Sequence, residues 1–170
     1  SQIISDVQVG FSPNPVTQTV ADEALCQSDG GLDLQAKALE ALGTQSASEF
    51  RVSFYTSLSD AQADTNPLPA QWEVSVGVQT VYIRTTSLAN PACYDTSESF
   101  QVVVDATPEL DFPEEAFICA DGGLATLGLP APESGVSYLW DSGEATPSLQ
   151  VNTSGEYTLT ATSANGLCMA

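Results

Sequence analysis

An all-β fold of two tandem β-sandwich domains is predicted by three observations. Hydrophobic residues alternate with a period of two along several segments. Clusters of Pro, Gly, Asn, Asp and Ser separate those segments at the spacing of short strands. One long pattern, opening and closing on a cysteine, occurs twice.

Taken in chain order, residues 7–11 and 16–20 are short apolar runs between turn residues and read as the first strands. The stretch around 34–42 breaks the pattern, because Ala and Leu dominate it, and is expected to turn helically. Phe50, Val52 and Phe54 then alternate with Arg51, Ser53 and Tyr55, which predicts a half-buried strand. A short helical turn is expected over 58–63, where Asp60 sits in the first turn. Strands follow at 72–76, at 80–85, and at 99–104, where Phe100, Val102 and Val104 line one face. Further on, 136–140, 149–152 and 157–162 carry the same alternation, the last through Tyr157, Leu159 and Ala161.

The repeat fixes the domain reading. Cys26-Gln27-Ser28-Asp29-Gly30-Gly31-Leu32 is echoed by Cys119-Ala120-Asp121-Gly122-Gly123-Leu124. Each copy leads through a strand ending in aromatics and a long strand to a turn and a second cysteine, Leu88-Ala89-Asn90-Pro91-Ala92-Cys93 and Ser163-Ala164-Asn165-Gly166-Leu167-Cys168. Asn-Gly is a strong hairpin signal. The pattern divides the chain into domains 1–106 and 107–170. After Cys93 a further strand follows, whereas after Cys168 stand Met169 and Ala170, so the second domain is expected to lack its last strand here. Between the copies lie Pro108, Pro113 and the acids Asp105, Glu109, Asp111, Glu114 and Glu115, the composition of a short, stiff, extended linker.

Four cysteines allow three connectivities. The repeat symmetry favours pairing within each copy, Cys26 with Cys93 and Cys119 with Cys168, each worth about 4 kcal/mol by loop entropy. Zinc is disfavoured, since there is no CxxC pair and no His. Paired cysteines suit an oxidising, extracellular compartment.

Charge and composition narrow the function. The 170 residues hold 22 acids against 3 bases and no His, a formal charge of −19. Such a field repels phosphate, so nucleic acid is excluded as a partner. No apolar run is long enough to span a bilayer, so direct membrane insertion is not expected. Without His, with one Lys, and with no phosphate-binding glycine loop, enzyme chemistry lacks its usual parts, and the chain reads as non-enzymatic. Calcium is the natural cofactor candidate, since hard cations take several oxygen ligands. Asp60 and Asp64 stand four apart with Asn66 close by, and Asp105, Glu109 and Asp111 cluster in the linker with Glu114 and Glu115. The competing readings are an N-cap at Asp60 and a solvated charge run in the linker. Tyr55, Trp72 and Tyr82 are candidate stacking platforms for surface glycans or protein partners, with core burial the competing reading for Trp72 and Trp140. Arg84, at an outward strand position, is expected to pair with a neighbouring acid.

Two stretches carry a family resemblance. Residues 52–68, from Val52-Ser53-Phe54-Tyr55 through Asp60-Ala61 to Asn66-Pro67-Leu68, are followed by Gln79-Thr80-Val81-Tyr82-Ile83-Arg84 and Cys93. The second runs from Tyr138-Leu139-Trp140 through Gly155-Glu156-Tyr157 to Asn165-Gly166-Leu167-Cys168. Together they resemble the immunoglobulin-like and PKD-like repeats of large secreted Bacteroidota surface proteins, including gliding-motility adhesins. The resemblance implies immunoglobulin-like sandwiches, a non-enzymatic place at the cell surface, type IX secretion, and neighbouring repeats of the same chain as partners. The function expected is a structural and adhesive stalk segment. The alternatives are a glycan- or protein-binding module and an accessory domain of a secreted hydrolase.

Overall fold

The computed structural model describes residues 10–111, 115–119 and 122–170. The expected strand over 7–11 lies mostly outside the described residues, as do Glu114 and Asp121. The fold is all-β, with two short helices inserted early in the chain. In order come β1 (Glu23–Cys26), β2 (Leu32–Asp33), α1 (Leu34–Leu42), β3 (Phe50–Tyr55), α2 (Leu58–Ala63), β4 (Gln71–Trp72), β5 (Gly77–Ser87), β6 (Tyr94–Asp95) and β7 (Ser99–Asp105). Four strands follow: β8 (Ala125–Gly128), β9 (Ser137–Trp140), β10 (Ser148–Val151) and β11 (Leu159–Thr162). One sheet has the order β1-β7-β5-β3, with β6 also on β5, and β2 pairs β4.

Two compact units result. Among the described residues, the first takes those up to Glu23, Leu32–Trp72 and Gln79–Val102; the second takes Ala24–Gly31, Glu73–Val78 and those from Val103 on.

In the first unit, β3 and β5 run antiparallel, with Phe50 opposite Ser87 and Tyr55 opposite Tyr82. Phe50, Phe54, Val81, Ile83, Phe100 and Val102 are buried there, and the Phe54 and Phe100 rings meet edge to face at 6.1 Å. Helix α1 starts where Asp33 accepts the Gln35 N–H at 2.8 Å, and it stops at Gly43, whose φ of 56° is left-handed. Its Lys37 is buried. The ammonium donates to the Ala21 carbonyl at 3.0 Å, pairs with Glu23 at 2.8 Å and stands 5.6 Å from the Phe100 ring centroid. Ser57 caps α2 by accepting the Asp60 N–H at 3.1 Å.

Arg84 departs from expectation. It is 4% exposed and pairs with carbonyls instead of an acid, donating to Ala61 and Gln62 at 2.8 and 2.9 Å. Those are C-terminal carbonyls of α2 that the helix itself leaves unbonded, so the guanidinium caps the helix while stacking 3.7 Å from the Tyr94 ring centroid. Residues 16–20 also fail to form a strand. Their amides bond elsewhere: Val16 to the Gln45 side chain, Thr17 to Asp95, and Gln18 to the Ala41 carbonyl.

In the second unit, β8 pairs β10 and β9 pairs β11, both antiparallel. Ala125, Tyr138, Trp140, Leu149, Val151, Leu159 and Ala161, drawn from both ribbons, form one buried core. The alternation read from the sequence is visible directly: Tyr138 and Trp140 face in, Ser137 and Leu139 out. Trp140 satisfies its indole N–H on the Thr146 carbonyl at 2.9 Å. Met169 pairs with Thr162, and Ala161 and Ala170 exchange both backbone hydrogen bonds.

Candidate functional site

The most constrained chemistry in the chain is a disulfide, and it differs from the expected pairing. Cys26 bonds Cys168, with Cα atoms 5.0 Å apart across a sequence separation of 142. Cys93 and Cys119 are free thiols. Repeat symmetry suggests Cys26–Cys93 and Cys119–Cys168. The physical reason it misleads is that the segment Ala24–Gly31 packs with the residues from Val103 on, which places Cys26 beside Cys168.

Local hydrogen bonds hold each half. The Cys26 N–H donates to the Asp29 carboxylate at 2.8 Å, and the Ser28 hydroxyl donates to the Cys26 sulfur at 3.0 Å. At the other end Ser163 N–H donates to the Cys168 carbonyl at 2.9 Å, and Cys168 N–H donates to the Ser163 hydroxyl at 3.0 Å. Thr107 Oγ1 lies 3.5 Å from one sulfur and 3.9 Å from the other. Cys26 is 7% exposed and Cys168 1%, so reductants have little access to the bond.

Asp105 anchors the hairpin that carries Cys168. It ends β7, and its buried carboxylate accepts the Ser163 hydroxyl at 2.6 Å, the Asn165 amide side chain at 2.6 Å and the Asn165 N–H at 3.1 Å. Its carbonyl oxygen stands 3.3 Å from the Cys168 sulfur. These donors, the Ser163 hydroxyl foremost, hold the carboxyl below the usual carboxylate range. Asp105 was expected among linker acids open to calcium, whereas here its oxygens accept hydrogens from the turn. Glu109 takes part through its backbone N–H, which donates to Glu133 at 2.7 Å, and Asp111 is exposed.

The other expected cation ligands do come together, around α2, and are likewise engaged by the chain. Asp60 accepts from the Ser57, Thr65 and Asn66 side chains at 2.7, 3.0 and 3.2 Å, which lowers its pKa, Ser57 contributing most. Asp64 accepts the Tyr55 hydroxyl at 2.5 Å and the Arg51 guanidinium at 2.6 Å, and its pKa is lowered chiefly by the Tyr55 bond. Asp64 and Asn66 both adopt left-handed backbone, at φ 54° and 53°. Among the described residues, no three acidic or thiol groups gather as a metal site. Of the expected aromatic platforms, Tyr55 is fully buried and Trp72 and Tyr82 are half-buried.

A cleft of about 520 Å³ opens in the second unit, lined by Phe117, Ile118, Leu127, Trp140, Val151 and Tyr157 among others. Sequence reading did not single it out, because Phe117 and Ile118 lie outside any alternating run. Thr107, Ser163 and Asn165 were missed as well. The available signal was the Asn165-Gly166 turn beside a cysteine, which sequence alone reads as a hairpin and nothing more.

Residues 19–108, more than half of the chain, match the family described as the Flavobacterium inter-domain disulphide bond domain. The chain belongs to this family. Within the inter-domain disulphide domain so defined lie Cys26 and Cys93, while Cys168 lies beyond its last matched residue, so the observed bond leaves the family span. No curated protein matches the chain. Among the described residues, no helix is long and apolar enough to cross a membrane. A disulfide of this kind belongs to a non-cytoplasmic protein.

Proposed function

We propose that the chain is a structural and adhesive stalk segment of a large secreted bacterial cell-surface adhesin, in which the disulfide ties an inter-domain disulphide domain to the sequence that follows it. The observation that carries this reading is the buried Cys26–Cys168 bond, which closes a loop of most of the chain and starts inside the family span. By loop entropy such a bond is worth on the order of 5 kcal/mol. A segment that must hold its fold outside the cell gains directly from a link that ties residues 24–31 to the residues from Val103 on and survives local unfolding. The resemblance to Bacteroidota surface repeats and the name of the matched family support the same bacterial group. They are the support for surface display, type IX export and a part in gliding. The charge of −19 would accumulate along a stalk and oppose its collapse.

Two measurements test this. Non-reducing peptide mapping should recover Cys26 linked to Cys168, and antibodies against the chain should label intact, unpermeabilised cells. Labelling seen only after permeabilisation would sink the surface role. Calcium stiffening is a separate part of the proposal, tested by melting with and without chelator; an unchanged Tm leaves the stiffness to the disulfide alone. A second reading, a glycan- or protein-binding module, is supported by the aromatic-lined cleft of the second unit. A glycan array that shows binding lost in Tyr157→Ala would favour it.

A further inference from the structure

The cleft of the second unit has walls of different kinds. Its floor is apolar: Trp140 and Val151 belong to the buried core of that unit, and Leu127 packs against it. One wall is the run Thr153-Ser154-Gly155-Glu156-Tyr157, which brings two aliphatic hydroxyls, a carboxylate and an aromatic ring to the same cleft. Phe117, 86% exposed, adds a second ring to the lining. Among the described residues, none that lines the cleft is basic.

The Tyr157 ring is fixed and half-open to solvent. Its hydroxyl donates to the Thr153 carbonyl at 3.1 Å and lies 2.9 Å from the Thr153 hydroxyl. Gly155 leaves that ring uncovered, since a Cβ placed there would stand 3.7 Å from Tyr157 Cε2. Such a ring is a flat surface that loses little freedom when a ligand settles on it.

A ligand has to suit the floor and the wall together. An apolar chain would strip water from Glu156 and the hydroxyls and give them no partner in return. An anion would meet the Glu156 carboxylate in a chain of charge −19. A cationic head group calls for several ring faces around one point, and Trp140, 2% exposed, has little face to offer. An uncharged sugar meets both demands: its C–H face stacks on an aromatic ring, and its rim of hydroxyls donates and accepts. The volume of about 520 Å³ is that of an ordinary small-ligand site.

We infer that this cleft binds a neutral oligosaccharide. Tyr157 is the stacking ring, the Ser154 hydroxyl and the Glu156 carboxylate meet the sugar hydroxyls, and Leu127 and Val151 take its apolar edge. Glu156 also sets specificity, because it repels sugars that carry acid groups. The inference rests on the second of the two functions proposed above, a binding module, and gives that module a ligand class.

The test applies the whole chain to an array on which neutral glycans stand beside their sialylated and sulfated forms, with Lys- and Arg-rich peptides as a further set. Calorimetry then gives Kd for what binds. Neutral glycans should bind, and their acidic forms several-fold more weakly. Tyr157→Ala should raise Kd about tenfold, whereas Tyr157→Phe keeps the ring and should keep the binding. Gly155 does not have left-handed backbone, so Gly155→Leu should melt with the wild type while its side chain covers the ring and abolishes binding. Glu156→Gln should leave the neutral glycans bound and strengthen the acidic ones several-fold. Acidic forms bound as tightly as neutral ones would overturn the ligand class, and neutral binding unmoved by Gly155→Leu would overturn the place; either result leaves a binding module standing. Capture of the basic peptides alone, lost in Glu156→Gln, would overturn the sugar and assign the cleft to a protein partner. Binding to neither set would overturn the inference and the binding module together, and leave the stalk untouched.

Discussion

The two units reach a buried core by different means. The first lays α1 and α2 against its sheet and buries two cations, Lys37 on Ala21, Glu23 and Phe100, and Arg84 on α2 and Tyr94. Besides the ends of β1, β5 and β7, the second has four strands of four residues, no α-helix among its described residues, and a cleft of about 520 Å³ against its core. It also contains the disulfide. A unit with so little strand buries little apolar surface on folding, and a cross-link that restricts the unfolded chain replaces stability that packing does not provide. The first unit needs no such bond, and its cysteine is left as a thiol.

Each unit has one tryptophan, Trp72 in the first and Trp140 in the second, so fluorescence can separate their responses. The largest effect is expected from Cys26→Ser or from full reduction. The Trp140 transition should fall by the equivalent of about 5 kcal/mol, less whatever structure the unfolded chain retains, and the Trp72 transition should move far less. Equal shifts in both would mean that the bond supports the molecule evenly, which would undo the contrast. Next comes Phe54→Ala. It empties the edge-to-face contact with Phe100 and should cost about 3 to 5 kcal/mol, read in the Trp72 transition. Smaller again is Arg84→Met, which keeps the apolar stem over Tyr94 and removes the donors to Ala61 and Gln62. A loss of about 2 to 3 kcal/mol is expected, because two buried carbonyls lose their partner. Thermal unfolding that leaves Arg84→Met at wild-type stability would remove Arg84 from the account of the first unit.

The same contrast explains what could be read from the sequence. Periodicity reports which face of a strand is buried, and it located β3, β7, β9 and β10 to within a residue or two. The Ala and Leu content at α1 and the acid in the first turn of α2 located both helices. Pairing of cysteines is a different kind of fact. It depends on which segments pack together, and nothing in the alternation of 24–31 shows that this segment joins the residues from Val103 on. Charged residues misled for a related reason. Arg84 alternates outward on β5, but α2 folds over that face, so an outward position became a buried one. Asp105 looked like one linker acid among several, and its role appears once the Ser163–Asn165 turn is brought to it.

The smallest effects expected are those of pH, and they fall on the units unequally. Asp105 has a lowered pKa through its bonds to Ser163 and Asn165, so the folded state favours the carboxylate. Its stabilisation is present above the unfolded value of 3.8 and is lost as pH falls through the lower folded value. Asp105→Asn should flatten this acid limb in the Trp140 transition while the limb of the first unit persists, since Asp60, Asp64 and Asp95 are lowered there too. Tyr55 works in the opposite sense. Burial, and then its bond to Asp64, push its pKa up from 10.0 to about 12, so the folded state favours the neutral phenol. That contribution is complete below pH 10 and is lost as pH rises toward 12. Alkali should therefore lower the Trp72 transition, and Tyr55→Phe, at a cost of about 1 kcal/mol for the lost hydrogen bond, should remove that sensitivity. A Tyr55→Phe protein whose Trp72 transition still falls across this range would place the alkaline weakness outside the Tyr55–Asp64 pair.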